Sequence, residues 1–220
     1  MKHLIIKITF ISLTIISISY AQTVSKTGTT AAQFLKIGVG ARALAMGGAY
    51  VATSNDATAL YWNPAGLSSL KKNEILLDHQ DWILDVDLDF VGASFKTPYG
   101  TIGAAICAMY MGEMEVTTTH NPEGTGENFN AGSLMGQISF SRMLTDRFSF
   151  GISSKIVREN IYNSKATGFA IDLGTLYVTQ IQGLTMGMSI SNYGTKMKIK
   201  GRDLLIQTEV DPSLESDPIN

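Results

Sequence analysis

From Glu74 onward, apolar and polar residues alternate with period two in segments of roughly ten, separated by turns. This is the pattern of strands whose two faces meet different surroundings. In Leu134–Leu144, Leu134, Ile138 and Phe140 share one face, and Gln137, Ser139 and Ser141 share the other. The next segment opposes Phe148, Phe150, Ile152 and Ile156 to Ser149, Gly151, Ser153, Lys155 and Glu159. Two more segments set Phe169, Ile171, Leu173 and Tyr177 against Gly168, Ala170, Asp172 and Gly174, then Leu184, Met186, Met188 and Ile190 against Thr185, Gly187, Ser189 and Ser191. Ile75–Trp82, Val86–Lys96 and Gly100–Gly112 fit less cleanly. In Val86–Lys96 the phase slips at Phe90 and Val91, as a β-bulge produces. Together with Met197–Val210, this predicts about eight or nine strands, joined by short turns such as Leu144–Arg147 and by one long loop, Thr117–Gly132.

One oily and one polar face fit either a soluble sandwich or a membrane barrel. Three features favour the barrel. The segments approach the roughly 9 to 11 residues that cross a bilayer as tilted strands. The inner positions are small and weakly polar rather than charged. Aromatic residues fall near segment ends, at Trp82, Tyr99, Tyr110, Phe148, Tyr162, Tyr177 and Tyr193, as an interfacial girdle requires. The fold class expected is therefore all-β, an antiparallel transmembrane β-barrel, with a secreted β-sandwich binding module as the rival.

The ends of the chain place it in the cell. Residues 1–21 read as a signal peptide, with Lys2 and Lys7 at the start, an apolar run and Ser19-Tyr20-Ala21 at a cleavage site. The uninterrupted apolar part, Ile8–Ile18, is shorter than the roughly 20 residues a spanning helix needs. Export permits disulfides, yet Cys107 is the single cysteine, so the fold stands without internal staples. Loss of the leader shifts the net charge from −2 to about −4, which leaves no electrostatic footprint for nucleic acid. The tail Asp211–Asn220 is acidic and broken by proline, a loop rather than a closing strand. Since an open sheet edge in lipid leaves backbone groups unpaired, the chain is expected to be the front part of a longer one. The organisation expected is a signal peptide (1–21), an N-terminal segment with short helices folded into or under the barrel (22–72), a partial barrel (73–210) and a terminal loop (211–220).

Between leader and strands lies a stretch of different character, Gly40–Leu67. The run Gly38-Val39-Gly40-Ala41-Arg42-Ala43 has the spacing of a dinucleotide loop, but no buried strand precedes it and no βαβ unit follows, so that reading is set aside. Gly40, Gly47 and Gly48 permit close backbone approach. Asn55 or Asp56 can cap the short turn that follows, and Pro64 with Gly66 sets a turn before the first strand. Such a compact segment suits a narrow space and can line or close a lumen.

These residues carry a resemblance. The stretch from Gly38 to Leu70 resembles the N-terminal signature of FadL-like outer-membrane barrels, and Ala31–Ala52 looks most like the PorV/PorQ branch of the type IX secretion system. Ile199–Ser213 is similar to that branch as well. The signature positions are Gly40, Arg42, Met46, Gly47, Gly48, Asn55, Asp56 and Trp62, followed by the fairly specific Asn63-Pro64-Ala65-Gly66. The resemblance implies a 14-stranded barrel with an N-terminal portion folded into its lumen, in the outer membrane. It also implies a non-enzymatic role in secretion or surface attachment of cargo bearing C-terminal sorting domains. Implied partners are outer-membrane lipid, other secretion-system proteins and that cargo. A FadL-like transporter of hydrophobic compounds is the alternative.

No catalytic constellation stands out, and neither a cofactor nor a metal is assigned. His79 and His120 lie far apart in strand and loop, and His3 is in the leader. His79 beside Asp78 and Asp81 can bind a cation only if alternation does not separate them. Asp85, Asp87 and Asp89 place three carboxylates on one strand face, able to attract a divalent cation or a basic partner, with a solvated rim as the favoured reading. Ser153-Ser154-Lys155 lacks a partnered base, and Asp172 and Glu159 are expected to face water in the lumen. Cys107, Met186 and Met188 read as packing residues. The Thr117–Gly132 loop is the candidate for partner contact, against the alternative of a disordered connector.

Overall fold

The computed structural model describes residues 31–201. The expected leader, the strand reading past Gly201 and the Asp211–Asn220 tail lie outside them. Ten strands follow one another: β1 (Glu74–Asp81), β2 (Val86–Thr97), β3 (Gly100–Met111), β4 (Met114–Glu115), β5 (Asn128–Phe129), β6 (Ala131–Thr145), β7 (Phe148–Ile161), β8 (Ser164–Val178), β9 (Thr185–Gly194) and β10 (Lys200–Gly201). Eight of them form one antiparallel sheet in the order β1-β2-β3-β6-β7-β8, with β9 and β10 both pairing β8. The sheet is open among the described residues, and β1 and β9 keep one free edge each. β4 and β5 pair only with each other, so the long loop is not a formless connector but carries a small hairpin arm. No described helix is long and apolar enough to cross a membrane, which bears on helices alone.

Parity divides the sheet into two faces. Ile106, Ile138, Ile156, Met186 and Met188 point outward and are 57–68% exposed. No second sheet covers them among the described residues, so these side chains do not form the dry interior of a sandwich. The opposite positions are buried: Ser94, Thr101, Ser139, Ser141 and Ser153 are at most 2% exposed. What buries them is the N-terminal segment. Phe34, Leu35, Val39, Leu60, Leu67 and Leu70 pack with Leu88, Phe90, Cys107, Met135 and Val157 of the strands as the hydrophobic core.

Several expectations are corrected here. No bulge occurs at Phe90 and Val91, since β2 pairs with β1 and β3 without any shift. The apparent slip is a change of surroundings along one continuous face. Leu88 and Phe90 face the core, and Gly92 lies directly under Leu60, where an added Cβ would come within 2.7 Å of Leu60 Cδ1. The register shifts fall instead at Met143/Thr145 and Ile171/Leu173. Asp85 does not join Asp87 and Asp89 on a strand face; it occupies the β1–β2 turn at φ 53°. Tyr99, Phe148 and Tyr177 stand at the sheet end with the β2–β3, β6–β7 and β8–β9 turns, and Trp82, Tyr110 and Tyr162 at the other end. Tyr193 does stand near the end of β9, but β9 is short and Tyr193 pairs with Ile171, halfway along β8, so it falls at mid-height of the sheet rather than in an end girdle.

Candidate functional site: an irregular segment seated on the inner face

Residues 31–70 contain only short helical pieces: a 3-10 turn Gln33–Lys36, helices Ala41–Ala45 and Ala59–Trp62, and a second 3-10 turn Pro64–Ser69. Irregular backbone buried against a sheet needs outside partners for its N–H and C=O groups. The inner face supplies them. Glu159 accepts from Ala32 N (2.9 Å), Asp78 from Gly40 N (3.0 Å) and Glu74 from Ala57 N (2.9 Å). Donors meet carbonyls in the same way: Gln80 Nε2 reaches Gly38 O (2.9 Å), Gln137 Nε2 reaches Leu60 O (2.7 Å), and Ser141 Oγ reaches Ala65 O (3.1 Å). These inward polar residues alternate with greasy ones, which is the signal in the sequence. Their partners, however, lie up to 127 positions away and could not be read from it.

The closest approach is at Asn63-Pro64-Ala65-Gly66. Asn63 is fully buried; its Nδ2 donates to Val51 O (2.9 Å) and Thr175 O (3.1 Å), and its Oδ1 accepts from Ala65 N (3.1 Å). Pro64 begins the 3-10 turn, where a missing N–H is harmless. The strands open a seat for this turn with glycine. A Cβ on Gly151 would lie 2.6 Å from Pro64 O, one on Gly174 2.9 Å from Pro64 Cδ, and one on Gly187 2.6 Å from Ala52 Cα. Gly66 leaves room in turn for Ser54.

The other signature positions form two further groups. Arg42 donates to Asn55 Oδ1 (3.0 Å), pairs with Asp56 Oδ2 (3.6 Å) and lies 5.2 Å over the Tyr50 ring. Of the two capping candidates, Asp56 acts: its Oδ1 accepts from Thr58 N (3.0 Å) and from the Thr58 hydroxyl, and its Oδ2 accepts from Tyr50 Oη (2.8 Å). Burial pushes the Asp56 carboxyl up, but the bonds from Thr58 and Tyr50 and the Arg42 charge outweigh it and hold the group below its ordinary range. Trp62 Nε1 donates to Val39 O (2.8 Å), and its ring lies beside Gly48 and Gly38. The neighbouring Tyr61 donates to Leu35 O (2.9 Å), and burial pushes its phenol up to about 12. Gly40, Gly47 and Gly48 all take positive φ, at 87°, 64° and 78°. Met46 and Gly47 join neither group; Met46 is exposed, and a Cβ on Gly47 would meet nothing within 4 Å.

Sequence reading missed a buried ion pair. Lys155 Nζ lies 2.6 Å from Asp172 Oδ2, with the two side chains 3% and 1% exposed. Asn192 closes the group: its Oδ1 accepts from Lys155 Nζ (2.9 Å), and its N–H donates to Asp172 Oδ1 (2.7 Å). Asp172 therefore does not line water; it is 1% exposed and held by Lys155 and Asn192. Ser153 and Ser154, read as one hydroxyl run, divide by parity: Ser153 turns in to Ser139 (2.8 Å) and Ser154 turns out.

These geometries describe a sheet with an uncovered apolar face and a filled inner face. No curated protein matches the chain significantly. The family model of the type IX secretion system protein PorV matches residues 20–210, nearly the whole chain, and the chain therefore belongs to the PorV family of type IX secretion system proteins.

Proposed function

We propose that the chain works in the outer membrane as a non-enzymatic barrel protein of type IX secretion, assisting export or surface attachment of cargo with C-terminal sorting domains. The observation that carries this reading is the outward face, a band of large apolar side chains with nothing over it among the described residues. A patch of this kind in a water-soluble monomer rarely exceeds a few hundred Å², whereas lipid is its natural solvent. Aromatic side chains near both sheet ends add to the argument. The inner face supports a closed body rather than an open conduit, since Pro64–Ser69 packs on β6, β7 and β8 at backbone distance. Such a protein would act through its surfaces and loops.

The test begins with fractionation of cells expressing the full gene. An outer-membrane barrel is expected in the membrane fraction with heat-modifiable gel mobility; a wholly soluble mature protein would refute it. Deletion of the gene then separates the roles. Loss of secretion of proteins with C-terminal sorting domains supports the secretion role, while normal secretion with impaired uptake of hydrophobic compounds supports FadL-like transport.

A further inference from the structure

On the outward face, an apolar groove and a group of cations stand one beyond the other. Register places Ile106, Gly136, Ile156 and Phe169 side by side on β3, β6, β7 and β8. Gly136 forms the floor between the two isoleucines, since a Cβ there would meet nothing within 4 Å. The result is a depression of about 510 Å³, walled by Val91, Ala104, Ile106, Ile138, Ile156 and Phe169. Toward the end of the sheet that carries the β4–β5 arm, the chemistry changes. Arg158 is two residues beyond Ile156, roughly 7 Å along β7, and Lys165 is four residues from Phe169 in the same direction, roughly 13 Å along β8. Lys200 of β10 pairs directly with Lys165. All three cations are exposed.

Like charges directly opposite on neighbouring strands repel, and among the described residues Arg158, Lys165 and Lys200 form no ion pair that would offset this. Glu159, the carboxylate next to Arg158, turns inward to Ala32 N. The outward acids Asp87 and Asp89 stand on β2, with β3 and β6 between them and Arg158. Beside Arg158 on the adjoining strands are Leu134 and Thr167, both neutral. We propose that this part of the outward face binds one net-anionic, phosphate-bearing membrane lipid, with its headgroup on Arg158, Lys165 and Lys200 and an acyl chain in the groove over Gly136. Arginine matches phosphate with two parallel N–H donors, and lysines at a membrane surface add attraction for anionic lipid. A free phosphate would satisfy the cations but leave the groove empty. A neutral lipid would fill the groove but leave the cations without a counter-charge. The longer loops of outer-membrane barrels face the outside, so the lipid belongs to the outer leaflet. This site rests on the reading of the outward face as membrane-embedded.

The product of the full gene, purified in detergent and delipidated, is titrated with dioleoyl phosphatidic acid and followed by native mass spectrometry. Dioleoyl phosphatidylcholine and sodium phosphate are the comparison probes. One retained phosphatidic acid is expected, with phosphatidylcholine held more weakly. Arg158→Gln and Lys165→Gln should each weaken phosphatidic acid by about fivefold and leave phosphatidylcholine unchanged. Gly136→Leu fills the groove; it should weaken the dioleoyl lipid and leave dihexanoyl phosphatidic acid unchanged, a split that loss of folding would not give. Heat-modifiable gel mobility confirms that each variant folds. Equal retention of the two dioleoyl lipids overturns the proposal, as does indifference to Arg158→Gln and Lys165→Gln or to Gly136→Leu. Displacement of the lipid by an equal concentration of phosphate also overturns it, because the site then takes the free anion. Those failures leave the chain in the membrane fraction, whereas a wholly soluble mature chain refutes the membrane reading itself and this site with it.

Discussion

Gly151→Ala is the sharpest probe of how residues 31–70 are held. The glycine lies on β7 with its missing side chain aimed at the Asn63–Gly66 turn. A methyl there would stand 2.6 Å from Pro64 O and closer still to Pro64 C and Ala65 N, whereas ordinary contact begins near 3.4 Å. Those atoms are backbone, so no rotamer can relieve the overlap; either the turn lifts or the strand bends. Gly151 is not at positive φ, so the penalty is purely steric. Overpacking of this kind costs about 1–3 kcal/mol. The control is Gly136→Ala on the outward face, where the new methyl meets nothing within 4 Å. It should be neutral or, through the unfolded chain, stabilising by up to about 1 kcal/mol. Two assays in detergent read the outcome: the urea midpoint followed by tryptophan emission, since Trp62 lies in the segment, and tryptic cleavage at the exposed Lys71 and Lys72. Gly151→Ala should lower the midpoint and speed cleavage. If it matches Gly136→Ala in both assays, the turn is not seated on β7 and the packing argument fails.

Lys155→Met should destabilise the fold by about 3–5 kcal/mol, because it leaves Asp172 charged and buried; the double variant Lys155→Met/Asp172→Leu should recover most of the loss in a denaturant cycle. Asp56 has a depressed carboxyl pKa, so its stabilising contribution is complete above the ordinary value of 3.8 and is lost as pH falls through the lower folded value. Asp56→Asn should flatten that part of the acid-unfolding curve, and an unchanged curve would remove Asp56 from the account. Ile156→Arg tests what lies outside the sheet. At 62% exposure to water it should change stability by no more than about 0.5 kcal/mol, whereas in a bilayer midplane it should cost about 2–4 kcal/mol and impair membrane assembly.

The two-faced sheet was legible because alternation is a local property: Ile138 and Ser139 differ in chemistry and therefore in side. What pairs with what was not legible. Lys155 and Asp172 are neighbours only through the β7–β8 register, which sets Ser153 against Asp172, and neither residue's own segment hints at the other. Phe90 misled for a related reason. An aromatic beside Val91 reads as a break in phase when the apolar face is assumed to point one way throughout, but part of the inner face is apolar too, where Leu60 and Tyr61 rest on it. The signature glycines were visible as unusual residues, while their counterparts Gly151, Gly174 and Gly187 looked like ordinary small positions of a strand. A cavity shaped for backbone leaves no mark at the residue that makes room. The carboxylates of the β1–β2 hairpin were visible one by one, and only the turn at Asp85 decides which of them face each other.

The hydrogen bond from Asn63 to Thr175 spans 112 positions, and it inverts the order of synthesis. Residues 31–70 leave the ribosome before any strand exists, yet their docking surface is complete only when β6, β7 and β8 lie side by side. Loop closure over such distances is slow. The earliest-made part of the chain is thus among the last to lock, and its carbonyls and amides must stay solvated or chaperoned until then. Protection of the Asn63–Gly66 amides from hydrogen exchange would therefore act as a timer, starting only after the third of those strands has zipped into place.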